Sequence, residues 1–325
     1  MKAINLHSYA AWRGWQVVLA ALFAALSVSV YAPAQNQPIE LPPQTGDWSI
    51  EQAEPAPLYT EPIRISINAV GTFEANPAEV EQHRPGIFQP GRFSVFDLIA
   101  HLSKIGHIDL EYHCDETIET HVIDSLNGKE GWWYNAFYDG GWSERNVTRI
   151  DLYPVKDRMM IQFFRQDAKR LEQIYDTFVD EVNRLEQNYG LLVIPEVRIK
   201  GPHIGEEILS FQDVTVTPRG VREDLFQTGV VTALDILLSL GKQGHLSGLA
   251  LSWYESIGSA DPVDHYFVES IEAVGFSGYA SGSCGFVYEV GPEDFSGFDG
   301  SHIHIPTDAR VIVSPEYAYW FWICL

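Results

Sequence analysis

The chain has 325 residues, 44 acidic and 21 basic, with a formal charge of −23 and 46% hydrophobic side chains, enough apolar material for one or two packed cores and too much for a disordered chain. Lys2 and Arg13 are the only charged residues before Glu40, so the rest carries 19 basic against 44 acidic side chains. That balance, with no basic stripe interleaved with aromatics, argues against a nucleic-acid partner, whose affinity comes from clustered Lys and Arg releasing phosphate counterions.

Lys2 and Arg13 precede an uncharged apolar stretch, Val17 to Ala32, which runs into Ala32-Pro33-Ala34. This is the pattern of a secretory signal peptide over residues 1–34. The stretch is shorter than the ~20 residues that span a bilayer and no Lys/Arg stop-transfer cluster follows it, so the expectation is an exported chain, periplasmic or extracellular, with no transmembrane segment once processed; a retained anchor is the alternative. Residues 35–60, with Pro38, Pro42, Pro43, Pro55 and Pro57, read as an extended leader.

The remainder is self-similar at an offset of 138 residues. Phe88-Gln89-Pro90-Gly91 aligns with Phe226-Gln227-Thr228-Gly229, Ser94 with Thr232, Asp97 with Asp235, and Leu102 to His107 with Leu240 to His245. Ser94 and Thr232 are N-cap candidates with an Asp three residues on; Val95, Leu98, Ile99 and Leu102, like Ala233, Ile236, Leu237 and Leu240, form one apolar helical face; Gly106 and Gly244 suit a left-handed C-terminal turn. Each copy is therefore expected to carry one short capped helix among strands. In the first these are Ile63 to Val70, Ile108 to His113, His121 to Leu126, Gly131 to Tyr138 and Met159 to Phe164. In the second they are Val197 to Lys200, Leu249 to Tyr254, Tyr266 to Ile271, Gly285 to Val290, Arg310 to Val313 and Tyr317 to Cys324. Later matches pair Gly131-Trp132-Trp133-Tyr134 with Gly285-Phe286-Val287-Tyr288, and Pro154 and Arg158 with Pro306 and Arg310. Between the copies, Leu171, Ile174, Tyr175, Phe178, Val182 and Leu185 mark an amphipathic helix. The organisation expected is an α+β module over 61–165, a helical spacer over 166–190 and a second module over 191–325, each module one helix on a mixed sheet.

The strand, the helix opening Ser94-Val95-Phe96-Asp97-Leu98-Ile99-Ala100-His101-Leu102, the Asn127-Gly128 turn and the aromatic strand from Gly131 to Trp142 together resemble the β-grasp (ubiquitin-like) modules related to the C-terminal domain of transcobalamin and intrinsic factor, which occur in exported bacterial proteins. The resemblance implies a tandem binding protein, and a corrinoid (cobalamin) as its ligand. Lys156-Asp157-Arg158 and Asp308-Ala309-Arg310 replace the family's usual Gly-Asp turn before the last strand, and transcobalamin's helical partner domain has no counterpart here.

Trp132, Trp133, Tyr134, Asn135, Phe137, Tyr138 and Trp142 form the densest candidate ligand surface, because flat amphipathic rings bind sugars, corrins and proteins at low entropic cost. Alternation sets Trp133, Asn135 and Phe137 on one face and Trp132, Tyr134 and Tyr138 on the other. One face belongs to the core; the other either lines a site or packs on the second module or the spacer helix. His302 and His304 share a strand face and are candidate metal ligands, with His113, Cys114, Asp115 and His121 as a second set. Of Cys114, Cys284 and Cys324, an oxidising compartment is expected to pair Cys284 with Cys324; three free thiols are the alternative. No H-E-x-x-H, G-x-S-x-G, Walker loop or Rossmann glycine pattern is present, so no residue is assigned a catalytic role and no cofactor is implied with certainty. The expected function is non-catalytic binding of a small molecule; the alternatives are a cell-surface component that binds another protein through its acidic face, and an extracytoplasmic metal-binding protein.

Overall fold

A computed structural model of the chain describes residues 39–41, 59–139, 143–144, 148–202, 208–257, 260–282, 284–292 and 306–324. The expected signal segment and most of the leader lie outside these. The architecture is mixed α and β: three α-helices and a short 3-10 turn (Pro77–Glu79) among the described residues, with several separate sheets.

Strands β2 (Ile63–Ile67) and β3 (Gly71–Ala75) form a hairpin, helix α1 (Val95–Lys104) follows, and β4 (Leu110–Asp115) pairs antiparallel with β5 (Thr120–Leu126). β6 (Trp132–Phe137), β7 (Ser143–Glu144) and β8 (Met160–Arg165) complete a sheet of order β3-β2-β8-β6-β7, in which β8 runs parallel to β2. Ile63, Ile65 and Ile67 alternate inward from β2 and meet Val95, Leu98, Ile99 and Leu102 of α1 in one apolar core. The expected period-2 and period-3.6 stripes are thus the two halves of one interior.

The second half repeats this order. β9 (Val193–Lys200) and β10 (Leu209–Thr215) form the hairpin, α3 (Leu234–Lys242) follows, and β11 (Gly248–Tyr254), β12 (His265–Ala273) and β13 (Phe276–Tyr279) make a meander. β14 (Cys284–Gly291) then pairs with β15 (Tyr317–Cys324), which lies parallel to β9. A leader strand, β1 (Ile39–Leu41), adds antiparallel to β11. The matched aromatic strands occupy matched places: Tyr134 opposes Phe163 and Tyr288 opposes Trp320. Cys284 and Cys324 face each other across β14 and β15 and are joined as a disulfide, while Cys114 is free and exposed.

Several details differ from expectation. Residues 310–313 form no strand. Instead, the Val95 and Phe96 N–H groups donate to the carbonyls of Tyr153 and Ile150, and those of Ala233 and Leu234 to Arg310 and Thr307. These backbone bonds make Asp151 and Asp308 equivalent, in place of the Pro154/Pro306 match. Ser94 caps α1 reciprocally, with its hydroxyl accepting from the Asp97 N–H and its own N–H donating to the Asp97 carboxylate at 2.7 Å. Thr232 does not cap α3, because the Asp235 N–H goes to the Thr232 carbonyl and its hydroxyl donates to the Asp235 carboxylate. Ser94→Ala is therefore expected to lower stability by about 1–2 kcal/mol in urea denaturation. Both helices end as expected, with Gly106 and Gly244 at φ +79° and +82° and the following His N–H bonded to the carbonyls of Leu102 and Leu240.

Helix α2 (Ala168–Gln187) turns Leu171, Ile174 and Phe178 into the first core and sets Leu185 against the second. The modules also meet directly. Phe88 and Phe226 pack in a small shared core, the Gln89 N–H donates to Leu225 O (2.9 Å) and the Gln227 N–H to Ile87 O (2.8 Å). Their side-chain amides donate crosswise, Gln89 to Phe226 O and Gln227 to Phe88 O, each at 3.0 Å. Every contact is returned by its counterpart in the other repeat, the signature of an internal two-fold axis.

Candidate functional site

The aromatic strand is interior. Trp132 and Trp133 are 3% and 4% exposed, Tyr134 and Tyr138 are buried, and Asn135 and Phe137 are half-buried. Trp133 meets Tyr175 of α2 edge-on at 6.3 Å, Tyr134 donates to Thr148 O, and the Trp132 indole N–H donates to Lys129 O at 2.6 Å. Burial leaves Trp132, Trp133, Tyr134 and Tyr138 almost no free surface, because α1 and α2 both supply apolar side chains to the core the strand enters; Asn135 and Phe137 keep part of theirs. Trp142, His302 and His304 lie outside the described residues.

The second expected metal set does not converge. His113 pairs with Asp124 at 2.9 Å, His121 is turned to Asp151, and among the described residues no group of three or more His, Cys, Asp and Glu side chains is placed to hold a metal ion. His107 and His245 each lie against a phenylalanine of the neighbouring hairpin, Phe73 at 5.4 Å and Phe211 at 5.0 Å, which accounts for their recurrence.

Both repeats contain a buried carboxylate bound to an arginine. In the first, Arg84 lies 3.2 Å from Asp151, which also accepts from Thr120 and, at 2.9 Å, faces His121 Nδ1. In the second, Arg222 lies 2.9 Å from Asp308, whose other oxygen is 2.8 Å from His265 Nδ1. The arginines also donate to the carbonyls of Glu119 and Asp264, two non-glycine residues at positive φ, so the clusters lock equivalent strained turns. Burial pushes the His265 ring down to about 3, leaving it neutral; it would raise Asp308, but His265 and Arg222 outweigh it and hold that carboxyl at about 2. Arg84 and Arg222 stand at the 138-residue offset, just upstream of the matched stretch that begins at Phe88.

A cavity opens in the first repeat. Its volume is about 290 Å³, and it lies where the chain before Phe88 passes α1 and β4. Glu81 and His83 line one side, Ala100, His101, Ser103 and Lys104 of α1 another, and Tyr112 of β4 a third. His83 is fixed by Asp97, which accepts from its backbone N–H at 2.7 Å and faces its Nδ1 at 2.8 Å. The bond to Asp97 raises the His83 pKa above the ordinary histidine value. Lys104 pairs with Glu81 at the exposed rim, lowering the Glu81 pKa.

His101 lines the cavity from α1. It is 5% exposed and its Nδ1 is buried with no hydrogen-bond partner. Such a nitrogen loses its hydration without return, but with almost no accessible surface it does not itself open onto the cavity, which meets the rest of the His101 side chain. In the second repeat the same position is Ser239, whose hydroxyl accepts from the Thr217 N–H at 3.1 Å, and Leu238 replaces Ala100. The equivalent helix position is thus a hydrogen-bonded hydroxyl in one copy and a ring with an unpartnered nitrogen in the other. Sequence reasoning missed His83, His101 and Tyr112 because it weighed what the repeats share; the signal lay in where they differ. No protein family matches the chain, and neither does any curated protein or solved structure.

Proposed function

We propose that this chain is an exported, non-catalytic binding protein built of two β-grasp-like modules, and that the first module holds a small-molecule ligand in the cavity between α1, β4 and the segment around His83. The single observation that carries the reading is the cavity itself, about 290 Å³ and lined by His83, His101, Lys104 and Tyr112. The β-grasp reading is supported in both halves by the hairpin, the helix and the closing strand parallel to the first. A cavity of about 290 Å³ is at the small end of ligand sites, and a corrin macrocycle does not fit within it. On this reading the second module is scaffold, and β1 ties the leader to it. Among the described residues no helix is long and apolar enough to cross a membrane.

The test is a thermal-shift screen of the full chain against small polar metabolites, beside the variant His101→Ser, which installs the second module's residue. A ligand at about 100 times its Kd is expected to stabilise the parent by about 2.7 kcal/mol and to leave the variant's melting temperature unmoved. Hits that stabilise parent and variant alike would place the ligand elsewhere.

A further inference from the structure

The two modules treat one strand differently. β4 and β11 each follow their module's helix and pair antiparallel with the next strand, and a shared irregularity locates equivalent residues in them. Leu110 faces Leu126, Glu111 faces Ser125 and, past a one-residue shift, Tyr112 faces Ile123; Leu249 faces Ile271, Ala250 faces Ser270 and, past the same shift, Leu251 faces Val268. Glu111 therefore stands where Ala250 does, and Tyr112 where Leu251 does. On its other edge β11 carries the leader strand β1, with Ile39 at Leu251, Glu40 at Ala250 and Leu41 at Leu249, and Leu249 and Leu251 are 2% and 0% exposed. Among the described residues no strand lies on the other edge of β4, and no backbone group of residues 111–114 bonds outside the β4–β5 pair. Tyr112 is 42% exposed, and Glu111, His113 and Cys114 are exposed beside it.

An uncovered edge presents unpaired N–H and C=O groups and is a template for one more strand. We infer that the free edge of β4 takes an extended segment of a partner protein as an added strand, and that this segment is basic, with Lys or Arg alternating with apolar residues. The charge follows from the register. A strand seated on β4 as β1 is seated on β11 has its middle residue opposite Glu111 instead of Ala250. The leader of a second copy would there set Glu40 against Glu111, whereas Lys or Arg completes an opposite-charge pair. Asp109, Glu116, Glu119 and Asp124 are further exposed carboxylates in and around the hairpin, and of these Asp124 is paired with His113. A second copy brings the same carboxylates and the same formal charge of −23, which opposes pairing β4 with β4. Leu110 and Tyr112 alternate with Glu111 along the strand and offer contact to the apolar positions of the partner.

The experiment is hydrogen–deuterium exchange of the full chain, read by mass spectrometry, with three synthetic probes: an alternating Lys/Val octapeptide, the same peptide N-methylated at two successive central residues, and its Glu/Val counterpart. The Lys/Val peptide is expected to slow exchange over residues 110–115 saturably and to leave 248–254 unchanged, since β1 and β12 already pair β11. N-methylation removes strand hydrogen bonds on both edges of the peptide and keeps its charge, so it is expected to weaken binding about tenfold or more, and the Glu/Val peptide is expected to bind as poorly. Glu111→Lys, at an exposed position, is expected to weaken the Lys/Val peptide about fivefold while exchange of the free protein stays unchanged elsewhere.

Equal protection by the N-methylated peptide would mean charge attraction without an added strand, and equal protection by the Glu/Val peptide would remove the basic partner. Protection at 248–254 alone would mean that the peptide displaces the leader, and protection at 110–115 that grows with protein concentration in the absence of peptide would put a second copy on the edge. Each of these, like an absence of protection with every probe, would overturn the inference.

Discussion

Asp308→Asn is expected to lower the free energy of unfolding by about 3–5 kcal/mol. Asp308 is fully buried and accepts from Arg222 and from the Tyr266 N–H, with His265 at its other oxygen. Replacing the carboxylate leaves Arg222, whose side chain is 1% exposed, with Asp224 alone as an ionic partner. The equivalent Asp151→Asn is expected to be milder, because the Arg84 side chain is 23% exposed and water supplies part of what the carboxylate gave. Urea denaturation of the two variants at neutral pH gives the comparison; equal penalties would mean that burial of the arginine is not what sets the cost.

The sign of the pH effect at Asp308 is fixed by its depressed folded value. An unfolded aspartate titrates near ~3.9, so the carboxylate's contribution is fully present above that pH and is lost as pH falls through the folded value of about 2. The gap between parent and Asp308→Asn should therefore close between roughly pH 4 and pH 2. His265 acts in a separate window. Its neutral form persists in the fold down to about 3 while the unfolded ring charges near ~6.5, so the parent loses stability as pH drops below that point.

Trp133→Ala is expected to cost about 3–5 kcal/mol and to do so without changing ligand affinity in any folded fraction. The ring is 4% exposed, lies 5.4 Å from Tyr134 and 6.3 Å from Tyr175, and belongs to the core that α1, α2 and the first sheet share. Its removal opens a void between the sheet and α2 that neighbouring side chains in regular elements cannot fill. A variant that keeps its melting temperature and loses ligand would restore the ring surface as a binding site and displace the His101 cavity. Phe137, half-buried toward the end of β6, is expected to cost less than Trp133.

The contrast between the aromatic strand and the cavity shows how far residue patterns reach. Alternation expects Trp133 and Tyr134 on opposite faces of their strand; what alternation cannot report is that α2, some 40 residues downstream, folds back on Trp133. His101 shows the reverse. On α1 it sits between Ile99 and Leu102 in a helix whose apolar face is plain, and only the three-dimensional neighbourhood reveals that its Nδ1 has no partner. Arg84 and Arg222 recur at the same offset as the helices, but their purpose depends on Asp151 and Asp308, which lie at a different offset because the intervening segments differ in length.

By itself the sequence determined the local and periodic features: the duplicated helix with its Ser94 cap and glycine stops, and the amphipathic α2. Each depends on residues a few positions apart, or on a repeat that can be aligned. Tertiary structure alone decided which apolar faces are covered twice, how Phe88 and Phe226 bring the modules together about a two-fold axis, and where a cavity opens between α1 and β4. Those outcomes depend on contacts between residues far apart in the chain, where burial sets whether a ring is core or surface and whether a ring nitrogen is satisfied.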